Sequence, residues 1–553
     1  SSEEPDDASN KPDDTAEKEK EDKKENKETR IDLADIERRV IAIEGIKPGN
    51  YFRLEATKKG FMYLKKNELE FEKYQTVTDH TKGKLDLYDY DLEEKKTRKL
   101  LSGIANYHVS ADGKKLVYRA GQKYAVVEVG VEPGADDGIV NLDNVRITVE
   151  RDKEYLQIFE EAWRVQRDWF YDPGMHGVDW AAMREKYRKF VPSCGNRSDL
   201  NYLIGEMIAE LNIGHTYVFG GDMQDNARTV DTGYLGATWE APPGSRYYRI
   251  AHIFPGTPGD EKQRSPLAEP GCPVKVGDYL IAIDGAEVTT TDNVFEYLQN
   301  KSETVVTVTY NDKPTRENAK TYRAKTISNE RPIRYREWVT KNREFVDRAT
   351  GGAVGYVHIP DMMRPGLVEF TKVFFPQHYK RGFIIDARYN GGGFTAHMLI
   401  DRLERQLLGF TQPREGRMLH EPERCFYGHL VVLVNEDTGS AGEWFAEGVK
   451  RRKLAPIIGM RTWGGAVGIE LHQPLVDGGA TTPPQFAPYS LERTWIIEGH
   501  GVDPDIEVQN MPGDVLRGED SQLSVGIEYV LKRLAEDPKE VPLPPPYPDK
   551  SKQ

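Results

Sequence analysis

The chain has 553 residues, too many for one hydrophobic core and enough for roughly three to four domains. Its apolar share of 38% and aromatic share of 10% suit folded domains, and no apolar stretch approaches the length of a membrane span. A net charge of −14 excludes the broad basic field that phosphate binding needs, so neither nucleic acid nor a membrane is an expected partner.

Residues 1–30 contain no Val, Ile, Leu, Met, Phe, Trp or Tyr and read as a disordered, charged segment, because they cannot bury enough surface to offset the entropy of ordering. The chain opens on Ser1 with no signal-type apolar segment, the expectation for a fragment or processed product whose start says nothing of compartment. From 31 to 147 short β runs follow one another ("YFRLEAT", "GFMYLKK", "KLDLYDYDL", "KLVYRAG", "KYAVVEV"), one pair joined at Asp112-Gly113. Even spacing of short strands predicts propeller blades, too few for a complete propeller. Residues 148–230 carry helical periodicity in "DKEYLQIFEEAWRVQRDWFY", "DWAAMREKYRKFV" and "SDLNYLIGEMIAELN", with Ser198 and Asp199 as the expected cap of the third.

Between 231 and 328 strands return around "SPLAEPGCPVKVGDYLIAIDGAEVTTTDNVFEYLQN", which resembles a PDZ domain with a tight Asp284-Gly285 turn and a helix to follow. From 329 to 540 apolar strands alternate with amphipathic helices, the pattern of a sheet covered by helices. Residues 541–553 form a Pro-rich tail expected to be extended. Cys194, Cys272 and Cys425 are widely spaced and form no CxxC pair, so neither a zinc ribbon nor a disulfide framework is indicated.

One stretch of the last region carries chemistry. In "HLVVLVNEDTGSAGEWFAEGVKRR" a buried strand ends on a small-residue turn that opens a helix, with Thr438 and Ser440 as its only hydroxyls. Asp437, Thr438 or Ser440 can simply cap the helix. Alternatively Ser440 is a nucleophile beside helix amides that can hold an anion. A nucleophile needs a base, and His215 at the end of a helix, His500 in "EGHGVDPD" and His472 are the candidates. Glu498 is either the acid that orients the base or an exposed carboxylate at a strand end. Gly391, Gly392 and Gly393 in "DARYNGGGF" either bring amides close to a ligand or merely serve a tight turn. No GxGxxG, HExxH, EF-hand, Walker A or GxSxG pattern occurs.

Taken in order, "IGHTYVFGGD", the PDZ-like phrase, "RGFIIDARYNGGGF", "NEDTGSAGE", "GMRTWGGAVGI" and "EGHGVDPDIEV" resemble the tricorn protease family, relatives of the carboxy-terminal processing proteases, over about residues 31–540. The resemblance implies a multidomain α+β and α/β fold: a partial β-propeller (31–147, the end of a second propeller), a helical subdomain (148–230), a PDZ domain (231–328) and an α/β sandwich catalytic subdomain (329–540). It implies a serine peptidase with Ser440 as nucleophile, His215 as general base, Glu498 as the acid of the relay, and the amides of Gly393 and Ala441 as oxyanion hole. Gly391 and Gly392 would line the substrate. It also implies no metal or organic cofactor, a peptide substrate, a homo-oligomer, and a cytoplasmic location with the periplasm as alternative.

Two positions depart from the family pattern. Gly214 stands where a serine bridges the histidine to the glutamate, so water or a neighbouring polar side chain is expected between His215 and Glu498. Thr411 stands where an aspartate selects basic side chains, which removes the ground for expecting cleavage after Lys or Arg. The rival readings are a catalytically weak PDZ-containing peptide-binding scaffold, which Gly214 would suit, and a small-molecule esterase.

Overall fold

The computed structural model describes residues 33–34, 42–47, 49–66, 85–223, 229–257, 259–260, 263–471 and 473–551. The charged segment 1–30 and His472 lie outside them. Two compact units divide the chain, with a boundary after Val140.

The first unit holds two four-stranded antiparallel meanders. One runs through Asn50–Ala56, Gly60–Lys66, Leu85–Asp91 and Lys96–Ile104, the other through Asn106–Val109, Lys115–Ala120, Lys123–Glu128 and Ile139–Val140. In Lys115–Ala120 Leu116 and Tyr118 are buried while Lys115 and Val117 are exposed, the period of two that turns one face of a sheet inward. They join Met62, Leu64, Leu87 and Tyr107 in one apolar cluster. The Asp112-Gly113 turn is present, with Gly113 at φ +69°.

In the second unit three helices, Arg151–Trp169, Trp180–Arg188 and Arg197–Ala209, pack around Ile158, Phe159, Leu200 and Ile204. The third helix starts earlier than its sequence suggests. Asn196, in extended conformation, accepts the Asp199 N–H (3.0 Å), and the Asp199 carboxylate accepts the Asn196 N–H in return (3.2 Å). This reciprocal pair makes Asn196 the cap in place of Ser198.

A six-stranded antiparallel sheet follows, built on Ala237–Glu240, Tyr248–Ile253, Tyr279–Ile283, Val305–Asn311 and Lys320–Lys325, with the short Ala286–Glu287 hairpin arm. Asp284 (φ +50°) and Gly285 (φ +81°) make the expected tight turn. The helix expected after it is one short 3₁₀ stretch, Val294–Leu298, started by Asn293 accepting the Phe295 N–H.

The last region is a five-stranded parallel sheet in the order Val354–His358, Gly382–Asp386, His429–Val434, Ile457–Gly459, Ile506–Glu507. Helices Arg364–Phe374, Ala396–Leu403 and Ala441–Arg451 share one apolar cluster on it, and Arg331–Ala349 and Ser521–Glu536 share another. A parallel sheet buried on both faces needs continuous apolar strands, which explains "HLVVLV" and "GFII". The carboxyl ends of such strands carry ligand-binding turns, and there the chain places residues 386–393 and 435–440.

Candidate active site

The strand His429–Val434 delivers a turn fixed mainly by its own side chains. Thr438 is fully buried, and its hydroxyl donates to the Ala387 carbonyl (2.8 Å) while accepting the Asn435 N–H (3.1 Å). That hydroxyl is therefore committed to the neighbouring strand end and not to the helix. Ser440 occupies the cap position of Ala441–Arg451 with φ +52° and ψ −122°, strained for any side-chain-bearing residue. Its amide N–H donates to the Glu443 carboxylate (3.0 Å), one half of a capping box between the two residues. Glu443 thus holds the turn from the helix side through the Ser440 amide.

The glycine turn packs directly on Ser440. Buried Arg388 pairs with Asp386 (2.6 Å) and Asp520 (2.8 Å) at the root of this turn. Asn390 then accepts the Gly392 N–H on its side chain (2.9 Å) and the Gly439 N–H on its carbonyl (2.9 Å), tying the two turns together. A Cβ on Gly392 (φ +89°) would stand 2.6 Å from the Ser440 Cβ, and one on Gly393 (φ +139°) would stand 2.2 Å from the Met362 carbonyl oxygen. Both glycines are required by backbone conformation and by close approach. Gly391 is exposed and free of such crowding. Among the described residues no acceptor is hydrogen-bonded to the amide of Gly393 or of Ala441.

His215 follows the third helix and is 9% exposed. Its Nδ1 lies 2.6 Å from the Val467 carbonyl oxygen. A carbonyl only accepts, so Nδ1 carries the proton and Nε2 is left with a lone pair, the tautomer of a base. Burial pushes its pKa below the ordinary histidine value, against the Val467 bond and the Glu498 charge, which raise it. Glu498 does not reach the ring. One oxygen accepts the N–H groups of Ala466 (2.8 Å) and Val467 (2.9 Å), and the other, Oε1, is buried with no hydrogen-bond partner among the described residues. A main-chain link joins the two: Glu498 holds the amide of Val467, and the carbonyl of Val467 holds His215. A Cβ on Gly214 would meet nothing within 4 Å.

One buried carboxylate links the two turns. Glu443, fully buried, accepts from Ser440 N–H (3.0 Å), the Thr462 hydroxyl (2.7 Å), Gly464 N–H (2.6 Å) and Gly465 N–H (3.0 Å). Burial raises its pKa, opposed by these partners. The three amides can only donate, and the Thr462 hydroxyl, which accepts the Val502 N–H, donates to Glu443, so the ionised carboxylate suits the cradle. Residues 462–467 thus run from Glu443, behind Ser440, to Glu498 and His215. Trp463 lies on this segment with its ring 5.4 Å from that of His215.

Two candidates remain, His500 and Thr411. His500 is exposed and pairs with Asp503 (2.8 Å), not with the Ser440 turn. Thr411 is exposed at the end of Gly409–Thr411, a strand paired only with Leu419–Glu421, and among the described residues no hydrogen bond joins it to Ser440 or His215. Sequence reasoning missed Glu443 and Val467. Glu443 carried a readable signal, an acid three residues after a serine at a helix start, whereas nothing local marks Val467.

Comparison with known proteins gives a consistent pattern. The Tricorn protease C1 domain matches residues 151–209, the Tricorn protease PDZ domain 233–329, and Peptidase family S41 353–508. A tricorn-like protease C-terminal subunit of Sulfurisphaera tokodaii is 34% identical, over 92% of this chain and 58% of the relative. The tricorn protease of Thermoplasma acidophilum is 31% identical, over 93% of this chain and 47% of the relative. A crystal structure of the tricorn protease superposes with a TM-score of 0.80 at 29% identity, covering 89% of this chain and 47% of that one. The chain spans about half the length of the curated relatives it matches.

Proposed function

The chain belongs to the tricorn protease family, and from that premise we propose that it is a serine peptidase hydrolysing peptides or oligopeptides through an acyl-enzyme. Ser440 Oγ attacks the scissile carbonyl while His215 Nε2 takes its proton. The carbonyl oxygen, now negative, is stabilised by the amides of Gly393 and Ala441. The imidazolium gives its proton to the leaving amine as the C–N bond breaks, and water attacks the ester by the same route in reverse. Glu498 acts across one peptide unit, its charge favouring the imidazolium. No step calls on a metal or an organic cofactor.

The observation that carries this reading is the pair of amides, Gly393 and Ala441, left without acceptors on the two turns that meet at Ser440. A peptide-binding scaffold has no need of them. Gly391 and Gly392 form the substrate-facing turn in this reading, and Thr411 offers no negative charge for a basic side chain. The two four-stranded meanders serve as blades of a propeller. Free Cys194, Cys272 and Cys425 suit a reducing cytoplasm, and a homo-oligomer follows the family resemblance.

A fluorophosphonate probe tests the proposal, because it reacts only with an activated serine. Peptide mapping is expected to find the adduct on Ser440 and to lose it in Ser440→Ala and His215→Ala. Absence of labelling in the parent chain would return the scaffold reading.

A further inference from the structure

Two aromatic rings stand edge-on to His215: Trp463 at 5.4 Å and Tyr217 at 5.9 Å between ring centroids, with interplanar angles of 76° and 82°. The imidazole between them is nearly buried, yet Trp463 is 45% and Tyr217 44% exposed. Large aromatic faces left open beside a reacting group are the usual lining of a ligand site.

Trp463 is also locked. Its amide donates to the Thr438 carbonyl (3.0 Å), and its ring lies against two glycines: a Cβ on Gly439 would stand 2.8 Å from it and one on Gly465 2.3 Å. The next two amides, Gly464 and Gly465, are held by Glu443. The backbone that carries the indole is thus fixed, and it is the segment that also orients His215. A wall built this firmly is preorganised for its occupant.

The chemistry identifies that occupant. His215 Nδ1 is committed to Val467, so the leaving amine must come within about 3 Å of Nε2 to receive its proton. The Cβ of the residue bearing that amine lies about 2.5 Å further on, two bonds away. A side chain starting there is within reach of the two rings, whose centroids lie within 6 Å of the imidazole's. We propose that Trp463 and Tyr217 form the subsite for the residue on the leaving-group side of the scissile bond, and that this chain cleaves ahead of apolar side chains such as Leu or Phe. The proposal rests on the peptidase reading with His215 as base and adds the substrate class to it.

Peptides sharing one acyl half and differing only in the residue after the scissile bond (Leu, Phe, Gly, Asp) test it. Each kcat/KM is divided by that of the corresponding peptidyl methyl ester on the same enzyme, so that losses common to all substrates cancel. The full chain is expected to favour Leu and Phe over Gly and Asp by about tenfold or more, the scale of hydrophobic-pocket discrimination. Trp463→Ala should bring the normalised ratio near unity, Trp463→Phe should keep most of it, and Tyr217→Ala, which leaves the glycine clamp alone, should lower it in part. Ester turnover without a Leu or Phe preference in the parent, or a preference untouched in both alanine variants, overturns this inference while sparing the peptidase reading. A parent chain inert toward every peptide and ester overturns both. Should Trp463→Ala fail to fold, Tyr217→Ala and Trp463→Phe decide the matter.

Discussion

Ser440 is held chiefly by neighbours in sequence, Glu443 three positions on and Thr438 two positions back, on a turn between a buried strand and the helix it starts. His215 takes its orientation from the carbonyl of Val467, 252 residues later, and that carbonyl is fixed in turn by Glu498. The helix before His215 is pinned by an equally remote contact. Arg197 pairs with Asp477 at 2.6 Å, and their side chains are 1% and 2% exposed. The two halves of one proton transfer are thus built differently, one by local turn chemistry and one by tertiary docking. The Ser440 turn keeps its nearest contacts when a distant one is lost, whereas a docked base fails whenever either partner is disturbed.

The largest effect isolates the local half. Ser440→Ala should lower peptide turnover by at least about 10⁴-fold. The strained backbone is unchanged by a swap that keeps Cβ, the Glu443 bond to the residue-440 amide remains, and loss of a capping hydroxyl costs about 1 kcal/mol, so the thermal midpoint should fall by only a few degrees. A variant retaining near-normal turnover would remove Ser440 from the chemistry.

Glu498→Gln breaks the remote half without touching the nucleophile. Turnover should fall, but by less than the roughly 10⁴-fold seen where an acid holds its histidine directly, because Val467 still orients the ring. The acid limb of kcat/KM should also move to lower pH, since the charge that raises the His215 pKa is gone. Unchanged turnover and an unmoved limb would leave a Ser440–His215 dyad.

Asp477→Asn attacks docking further away. Breaking a buried pair by removing one charge costs about 3 kcal/mol or more, so denaturant unfolding should show a loss of that size. Activity at a fixed folded concentration should fall less than in Glu498→Gln.

In the parent chain, burial lowers the His215 pKa below its ordinary value of 6.5. The base works when neutral, so the acid limb should have its midpoint below 6.5. The folded state then binds fewer protons than the unfolded one as pH drops through this range, and stability should decline in the same direction. A limb centred above 6.5 would contradict the burial of the base.

Gly214→Ser should have the smallest effect. Its Cβ enters open space, and Val467 already occupies Nδ1. Turnover by the variant, measured beside the parent's, should rise only slightly. A large rise would mean that the main-chain bridge is a poor substitute for a hydroxyl.

The same contrast decides what could be read from the sequence. The parallel sheet, the strand–turn–helix at Ser440 and the glycine turn were legible because period and turn residues are local properties. The third helix's start was misread by two residues because Ser198 follows a better cap, Asn196, whose partner Asp199 lies three positions on. His215 stood at a helix end as one of three candidate histidines and was chosen among them only by resemblance to the family pattern, and the residue that orients it left no trace, because a carbonyl acts whatever side chain it carries. Thr411, placed by resemblance beside the substrate, belongs to a short two-stranded hairpin, and no local signal marks it for that role.

The bond from His215 to Val467 also sets a schedule for biosynthesis. A growing chain exposes His215 long before residue 467 leaves the ribosome, and Ser440 precedes Val467 too. Until that late segment docks, the imidazole has no acceptor for Nδ1 and no enforced tautomer. Contacts of such sequence separation carry a large loop-closure cost before they form, so the hydrolytic machinery assembles only after the segment through Val467 and Glu498 has been made.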